Sequence, residues 1–530
     1  YFIMNILIAS LPFICLFFLI LFFKKDFLIS ISTSLLILLI ISISFWQITI
    51  LRILSAGFKG FFIASEIIFI VFGALLILEI IKNHNLLPPL RKFFSTTCSD
   101  YRFQAILIAG ALVHFIEGVA GFGTPALLAI PILLILGFKP LTAVCISLIG
   151  DSAPVIFGAI GLPVTHGIGS ILKSFNAPEE MLIAITRLIS IFNVVLIAFI
   201  FLTILIITTI FEKRPKKEII AFIPFTILAS LAVSLPALLI AYFIGPELPS
   251  VIGGFFGVAI IMLLGRKNLL LPKEKISLSP EQTKDDISNR KVLQALMPYL
   301  LVVTFLVISR LFLKEILTSW GQINIENIFN WPVDYQFYLF YSAGFILLLS
   351  SILSIFYLKT GLKKSFKIIK IVASKISRAY LVLIIVLVFV QVLIYSGDNL
   401  SNLPSLILVL AEGLELLLGQ YWILVASFLG AFGSFLAGSA TVSNLLLTGF
   451  QYNTALNINW SPVLILTLQG LGAGAGNMIA LHNIVAALVV ADSPIKENEI
   501  IKKNLPILFL YLLLIIILTI SYLIFSRHFV

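Results

Sequence analysis

The sequence predicts an all-helical protein that crosses a lipid bilayer many times. Of its 530 residues, 60% are hydrophobic and 11% are charged, against about half and a quarter in soluble chains. The apolar residues form runs of about 20, the length that a helix needs to cross a hydrocarbon core of roughly 30 Å. These runs are too long for the roughly ten-residue strands of a membrane barrel. The composition therefore excludes a cytosolic enzyme, a nucleic-acid-binding protein, a disordered chain and a secreted disulfide-linked domain.

Ten segments are predicted to cross the membrane as continuous helices, which satisfy every backbone group in lipid. They are residues 4–23, 27–51, 61–81, 182–211, 219–243, 248–265, 292–313, 335–358, 376–397 and 505–526. The first lacks the basic start of a cleavable signal peptide, so we expect it to be a span. Two further stretches, 103–164 and 403–491, are apolar but interrupted by Gly, Pro, Ser, Thr and Asn. Together they predict roughly 12–14 membrane segments.

The positive charges predict which loops face the cytoplasm. Six loops carry 27 of the 35 Lys and Arg residues, namely 24–26, 82–102, 212–218, 266–291, 359–378 and 496–503. Cytoplasmic loops are enriched in these residues, so all six are expected inside, with both chain ends outside. The net charge of +11 therefore indicates membrane topology and lipid contact, and no nucleic-acid partner is expected. The pattern also requires each interrupted stretch to make one net crossing.

Two similar halves are predicted. The chain is divided into an N-terminal transmembrane half (1–265), a cytoplasmic linker (266–291) and a C-terminal transmembrane half (292–530). Gly121 precedes Asp151 by 30 residues, and Ser439 precedes Gly470 by 31. Because the interrupted stretches start on opposite sides, the halves are predicted to be inverted-topology repeats, whose discontinuous or re-entrant helices hold substrate near the midplane. Residue identity between the halves is slight, so coincidental spacing is the alternative.

The first interrupted stretch predicts a broken helix near Gly121. Five prolines each prevent an uninterrupted helix, and they are Pro125, Pro131, Pro140, Pro154 and Pro163. Gly123 allows backbone angles that other residues resist, and Thr124 before a proline is a helix-start signal. An exposed helix N-terminus offers free N–H groups and partial positive charge to a carboxylate. A kinked helix that packs closely through small residues is the alternative interpretation.

The second interrupted stretch offers hydroxyl and amide groups within apolar sequence. In the segment GSATVSN these groups belong to Ser439, Thr441, Ser443 and Asn444. Further on, alternate glycines from Gly470 to Gly476 precede Asn477 and break the next helix. A dinucleotide-binding loop is disfavoured because no strand precedes these glycines. Helix packing through small residues is the alternative to a binding role.

Ionisable residues inside membrane segments are costly and are therefore functional hypotheses. Glu117 and Asp151 are predicted to carry protons, because low dielectric favours a neutral carboxyl group; capping at a helix break is their alternative. His114 lies on the same helix face as Glu117. Arg187 lies six residues into its span, where a guanidinium can bind an anion with two hydrogen bonds or extend to the surface. The three cysteines lie far apart and predict neither disulfides nor a metal site.

Six segments resemble the L-lactate permease family, which moves lactate and glycolate with protons across bacterial inner membranes. They are EGVAGFGTPALLA (117–129), LGFKPLTAV (136–144), SAPVIFGAIGLPV (152–164), FIGPELP (243–249), GSATVSN (438–444) and SPVLIL (461–466). They lie in both halves, in order and at matching separations. The resemblance implies broken helices at Gly121–Pro125, Ser152–Gly161 and Gly438–Asn444, and a family basic residue at Arg187.

Three positions depart from the family pattern. Relatives commonly carry an acidic residue where this sequence has Ala440, and a lysine where it has Asn477. Loss of both charges together is compatible with loss of a compensating pair, and it leaves substrate preference and coupling open. Asp151 occupies a position that is not always acidic in relatives.

The residues and the resemblance together predict a secondary active transporter in a bacterial inner membrane. It is expected to import L-lactate or a related 2-hydroxymonocarboxylate (D-lactate, glycolate) by proton symport, without a cofactor or metal. The expected substrate site consists of Gly123, Thr124, His114, Arg187, Ser439, Thr441, Ser443, Asn444 and Asn477. Glu117 and Asp151 are the expected proton-coupling residues.

Other functions stay open as alternatives. A sodium-coupled transporter of another small carboxylate fits the hydroxyl-rich and carbonyl-rich breaks and the missing charges at Ala440 and Asn477. A channel is a further class, which saturable uphill accumulation would separate from a carrier. An enzyme is not expected, because no HExxH, GxSxG or paired-carboxylate motif is present. The sequence leaves an oligomer open.

Overall fold

The computed structural model describes residues 2–21, 23, 27–121, 123–272, 275–278 and 288–526. Within these ranges the chain is almost entirely α-helical, which confirms the predicted all-α polytopic fold. The helices before the linker are α1 (Phe2–Leu21), α2 (Phe27–Ser44), α3 (Ile50–Asn83), α4 (Leu87–Thr97), α5 (Tyr101–Ala105), α6 (Val113–Ala120), α7 (Thr124–Ile135), α8 (Pro140–Asp151), α9 (Gly158–Leu162), α10 (Gly169–Ser174), α11 (Glu179–Phe211), α12 (Lys217–Phe243) and α13 (Pro249–Arg266).

The helices after the linker are α14 (Asn289–Leu311), α15 (Lys314–Trp320), α16 (Ala343–Tyr357), α17 (Leu362–Ile394), α18 (Leu406–Leu418), α19 (Ala426–Ala437), α20 (Ala440–Asn457), α21 (Pro462–Gly476), α22 (Leu481–Ala491) and α23 (Glu497–Ser526). Two short strands, β1 (Gln322–Ile325) and β2 (Tyr335–Tyr338), pair antiparallel with Gln322 opposite Tyr338. Parts of the predicted linker, 273–274 and 279–287, lie outside the described residues.

Eleven helical segments within the described ranges are long and apolar enough to cross a membrane, and six shorter apolar helices accompany them. Large apolar side chains such as Leu239, Phe243 and Ile517 are exposed on their outer faces. An exposed apolar surface of this extent is typical of contact with lipid. The chain is a multi-pass membrane protein.

The predicted span 335–358 is wrong in its first residues. Tyr335–Tyr338 form strand β2, and the helix begins only at Ala343. The side chain of Ser342 accepts a hydrogen bond from Phe345 N over 3.2 Å and caps the helix start. The apolar character of Tyr335–Tyr338 therefore reflects strand pairing, which apolar run length alone does not distinguish from a helix.

Small residues bring the longest helices close together. In α3, a Cβ on Gly60 would lie 2.7 Å from the carbonyl oxygen of Leu387 in α17. A Cβ on Gly73 would lie 2.6 Å from Leu347 Cβ in α16. Membrane helices associate largely through such close backbone approach, so α3, α16 and α17 form one packed unit.

The segment α5–α7 is a hairpin, which we call the first hairpin. A π-helical turn, Ile106–Leu112, connects α5 to α6, and α7 then reverses direction. Near its start, Arg102 Nη1 donates to Glu218 O over 3.0 Å. Just beyond its end, Lys139 N donates to Glu212 Oε1 over 3.0 Å. Both ends of the hairpin therefore lie at the turn between α11 and α12.

The segment α19–α20 is the second hairpin. Trp460 Nε1, just beyond its end, donates to Gln420 O, just before its start, over 3.2 Å. The ring of Tyr452 in this hairpin lies 5.2 Å from that of Phe175, which precedes α11. Because the 33 residues of α11 span roughly 50 Å, the two hairpins start from opposite ends of that helix.

Two discontinuous helices complete the centre of the molecule. After α8, the 3-10 turn Pro154–Phe157 leads into residues Ala159, Ile160 and Gly161, which have left-handed φ angles of 44°, 57° and 73°. After α21, the 3-10 turn Asn477–Ile479 leads into α22. At these breaks some backbone N–H and C=O groups lie outside the regular hydrogen-bond pattern of an α-helix.

Candidate functional site

The first hairpin reverses direction at two glycines. α6 ends at Ala120, and Gly121 and Gly123 have φ angles of +66° and +71°. Residues with a Cβ resist these angles. Thr124 begins α7 with Pro125 in its first turn. Thr124 N donates to Gly121 O over 3.2 Å and Pro125 has no N–H, so the start of α7 contributes mainly the partial positive charge of a helix N-terminus at the hairpin tip.

The second hairpin reverses direction at Gly438, which ends α19 with a φ of +61°. Ser439 follows, and its Oγ accepts a hydrogen bond from Val442 N over 3.4 Å, which caps α20. A Cβ on Gly438 would lie 1.5 Å from Cε1 of His482. Only glycine fits this tip, because both the backbone angle and the imidazole exclude a side chain.

A cavity of about 20 Å³ lies between the two tips. This volume holds about one water molecule. The lining joins Gly121 and Gly123 of the first tip to Gly438, Ser439, Ala440 and Thr441 of the second, and adds Glu117, Val155, Gly158, Ala159, Pro163 and Asn477. Among the described lining residues there is no Lys or Arg. The positive potential available to an anion therefore comes from helix N-termini.

Two buried carboxyl groups meet beside this cavity. Glu117 and Asp151 are 3% and 0% exposed, and their carboxyl groups lie close enough to interact. Asn477 Nδ2 donates to Asp151 Oδ2 over 2.9 Å, and Asn483 Nδ2 donates to Asn477 Oδ1 over 2.7 Å. This chain of side chains joins the first hairpin, the end of α8, the break after α21 and the start of α22.

Several buried polar atoms around the tips have no hydrogen-bond partner within the described ranges. They are Glu117 Oε2, Thr124 Oγ1, Asp151 Oδ1 and His482 Nδ1. An unpaired buried polar group costs about 1–3 kcal/mol. Proteins accept this cost mainly where a ligand, an ion or water takes part, so the cluster marks a candidate binding site.

Ser443 and Asn444 hold the second hairpin in position. Ser443 Oγ donates to Gly430 O in α19 over 2.8 Å, and Asn444 Nδ2 donates to Pro163 O over 2.9 Å. Gln469 Nε2 in α21 donates to Asn444 Oδ1 over 3.2 Å. Neither Ser443 nor Asn444 lines the cavity, so their hydrogen bonds support the tip from behind.

Four of the nine expected substrate residues line the cavity, namely Gly123, Ser439, Thr441 and Asn477. Thr124 and Asp151 adjoin the cavity, and His114 is buried one turn before Glu117. Arg187 is exposed, its Nε donates to Tyr242 O over 3.1 Å, and it lines a different cleft.

Three residues that the expected site omits belong to it by geometry. His482 packs against Gly438, Asn483 binds Asn477 and contacts the Gly123 backbone, and Ala159 lines the cavity. A His-Asn pair directly after a glycine-broken helix is an unusual polar signal in apolar sequence, and it could have indicated the first two. Ala159 carries no such signal, because its position depends on left-handed backbone.

A helical multi-pass protein with a buried polar cavity between two broken hairpins is a membrane transport protein. The chain belongs to the L-lactate permease family, because the sequence model of that family matches residues 5–525. A putative L-lactate permease of Haemophilus influenzae is 29% identical over 83% of this chain and 84% of its own. The L-lactate permease of Escherichia coli K12 is 26% identical, covering 94% and 92%. A glycolate permease of the same strain is 24% identical, covering 84% and 83%.

Proposed function

We propose that this protein imports L-lactate or a related 2-hydroxymonocarboxylate, such as D-lactate or glycolate, by proton symport across a bacterial inner membrane. The observation that carries the proposal is the buried Glu117–Asp151 carboxyl pair beside a cavity that two helix N-termini border. The names of the relatives, L-lactate permease and glycolate permease, support the substrate class.

The substrate carboxylate binds between the two hairpin tips in this proposal. The partial positive charge at the N-termini of α7 and α20 favours an anion. The hydroxyl of Thr124, which lacks a partner among the described residues, and those of Ser439 and Thr441 can bind the carboxylate and the 2-hydroxyl group. Asn477 adds an amide at the cavity wall.

The carboxyl pair carries the proton. Two carboxylates in contact in a buried site cannot both remain ionised, because like charges repel strongly in low dielectric. Glu117 and Asp151 therefore hold at least one proton between them. An incoming anion adds negative charge to a cavity without Lys or Arg in its described lining, and so favours uptake of a further proton. Substrate and proton binding are coupled in this way.

Alternating access follows from the opposed hairpins. In this proposal the halves 1–265 and 292–530 are inverted-topology repeats, and the basic loops face the cytoplasm. The cavity of about 20 Å³ is smaller than a three-carbon acid, so the tips must separate before the site can hold one. Movement of one hairpin tip away from the other opens the site toward one side of the membrane at a time.

Sodium coupling is a second candidate. Oxygen atoms bind Na⁺ at helix breaks of many transporters, and Glu117 Oε2 and Asp151 Oδ1 are buried without a partner in the described part of the chain. The same oxygen atoms can therefore bind either a proton or Na⁺. Imposed ion gradients distinguish the two.

The test is uptake of labelled L-lactate into liposomes that contain the purified protein. We expect an inward proton gradient alone to drive saturable accumulation above equilibrium, and glycolate and D-lactate to compete. A sodium gradient without a pH gradient should have no effect. Accumulation driven by sodium alone would establish the second candidate, and non-saturable equilibration would establish a channel.

A further inference from the structure

A second cleft lies at the N-terminal end of α11, the end that the second hairpin approaches and that the proposed topology places outside. Its volume is about 400 Å³, and Lys173, Arg187, Tyr242, Gly245 and Pro246 are among its lining residues. We call it the Arg187 cleft. It is large enough for a three-carbon hydroxy acid with its hydration, in contrast to the cavity between the tips.

Arg187 is held in a fixed orientation within this cleft. Its Nε donates to Tyr242 O over 3.1 Å, and its guanidinium carbon lies 4.6 Å from the centre of the Tyr242 ring. In the described part of the chain, no carboxylate forms an ion pair with it. A guanidinium that is stacked and anchored through Nε keeps its two Nη groups for a carboxylate.

Two backbone segments that pack directly on each other lie between the Arg187 cleft and the cavity between the tips. Ala159 and Pro163 line that cavity. Between them, Gly161 packs so closely on Pro246 that a Cβ would lie 2.3 Å from the Pro246 carbonyl oxygen. Pro246 in turn lines the Arg187 cleft. The packed Gly161 and Pro246 segments therefore separate an anion in the cleft from the proposed transport site.

We propose that the Arg187 cleft is an outer binding site for the substrate carboxylate, which occupies it before the Ala159–Pro163 segment lets it pass to the hairpin tips. The inference rests on the proposed function and adds to it a separate, earlier site. Lys173 and Glu179 also line the cleft, so their charges offset each other and Arg187 supplies the net positive charge. Attraction by this charge raises the local anion concentration and the rate of binding, and salt screens it.

A lipid phosphate is the competing ligand for the same guanidinium chemistry. Phe243 and Ile244 at the edge of the cleft are 76% and 67% exposed, and such a rim also suits a lipid. The position of the cleft beside the transport cavity favours the substrate, because a site for lipid alone has no need of that position.

The first experiment compares kinetics of L-lactate uptake from the outer side. For Arg187→Gln we expect the half-saturating concentration to rise about five- to tenfold with little change in maximal rate, and the rise to shrink in high salt. For Arg187→Lys we expect a half-saturating concentration between those of the wild-type protein and Arg187→Gln. Lys314→Gln removes an equal charge from an exposed position at the same end and should change nothing.

The second experiment reports binding without transport. Ala177 lines the cleft, so Ala177→Cys should react with a membrane-impermeant maleimide. External L-lactate should slow this reaction at least threefold, and the uncharged amide of lactate should not. In the Arg187→Gln background, external L-lactate should not slow the reaction of the cysteine at position 177 with the maleimide.

The outcomes separate this inference from the proposed function. Normal uptake kinetics in Arg187→Gln, or labelling that L-lactate does not slow, would overturn the outer site and leave the transport function standing. An Arg187 effect that occurs only in liposomes with anionic lipid would assign the cleft to lipid phosphate and would also overturn it. Absence of uptake by the wild-type protein would overturn both.

Discussion

At the scale of single residues, Gly438 and His482 define the shape of the second hairpin tip. The φ of +61° at Gly438 costs a residue with a Cβ about 1–2 kcal/mol. Overlap with the His482 imidazole, 1.5 Å from the ideal Cβ position, adds a separate cost. The two costs differ in origin, since only the second disappears when the imidazole is removed. The tip geometry is therefore open to a double-mutant test.

We predict that Gly438→Ala destabilises the wild-type protein by about 3 kcal/mol or more, and by only about 1–2 kcal/mol in a His482→Ala background. Thermal unfolding in detergent measures both. Gly361→Ala is the matched control, because a Cβ there meets nothing within 4 Å and its φ is −66°. Equal costs in the two backgrounds would show that the imidazole does not constrain the tip.

At the scale of elements, a buried amide chain binds the second hairpin to α21. Gln451 Nε2 donates to Gln469 Oε1 over 3.0 Å, and Gln469 Nε2 donates to Asn444 Oδ1 over 3.2 Å. Trp422 Nε1 extends the chain by donating to Gln451 Oε1 over 2.7 Å. Because all these groups are buried, the chain fixes the hairpin rigidly, and Asn444 passes this constraint to Pro163 at the cavity.

We predict that Gln469→Leu lowers the free energy of unfolding by about 1–3 kcal/mol, because it leaves Gln451 and Asn444 short of partners. It should also raise the half-saturating concentration of L-lactate, since Asn444 no longer holds Pro163 firmly. Thermal unfolding and initial uptake rates measure the two effects. Gln420→Leu, at an exposed position near the hairpin base, is the control. Unchanged uptake kinetics in Gln469→Leu would separate the amide chain from the site.

At the scale of the whole molecule, an ion cluster joins the packed unit of long helices to the segment that carries the site. Lys375 Nζ in α17 lies 3.1 Å from Glu79 Oε1 in α3 and 2.7 Å from Asp492 Oδ2, directly after α22. Burial lowers the pKa of Lys375, but hydrogen bonds to Asp492 and Glu79 outweigh burial and leave this pKa raised. The contribution of Lys375 therefore stabilises the fold at neutral pH and is lost as pH rises through the raised pKa.

We predict that Lys375→Gln destabilises the protein by about 1–2 kcal/mol at low salt, because Glu79 is largely buried and loses a close cation. The loss should shrink in high salt, which screens the partly exposed ion pairs. Lys370→Gln, an exposed change on the same helix, should be nearly neutral in thermal unfolding. Equal effects of the two substitutions would contradict a specific link through Lys375.

Much of the fold follows from the sequence, because apolar runs and basic loops are properties of local composition. Gly121, Gly123 and Gly438 also stand out locally, since glycine beside Thr-Pro or Ser marks a helix break. The pairing of Glu117 with Asp151 cannot be predicted from local sequence, because 34 residues separate them and only tertiary packing brings them together. The orientation of the Arg187 side chain likewise cannot be predicted from its position along the span, since a long side chain at that position can reach either the membrane surface or the centre of the protein.

The most direct test of proton coupling at the Glu117–Asp151 pair is the behaviour of Glu117→Gln in proteoliposomes. Glutamine keeps the size of the side chain but cannot exchange a proton at physiological pH. We predict that saturable exchange of L-lactate across the membrane persists, while accumulation driven by a pH gradient is lost. Glu180→Gln, at an exposed position in the first helical turn of α11, should retain both. Undiminished pH-driven accumulation by Glu117→Gln would contradict the coupling role of the pair.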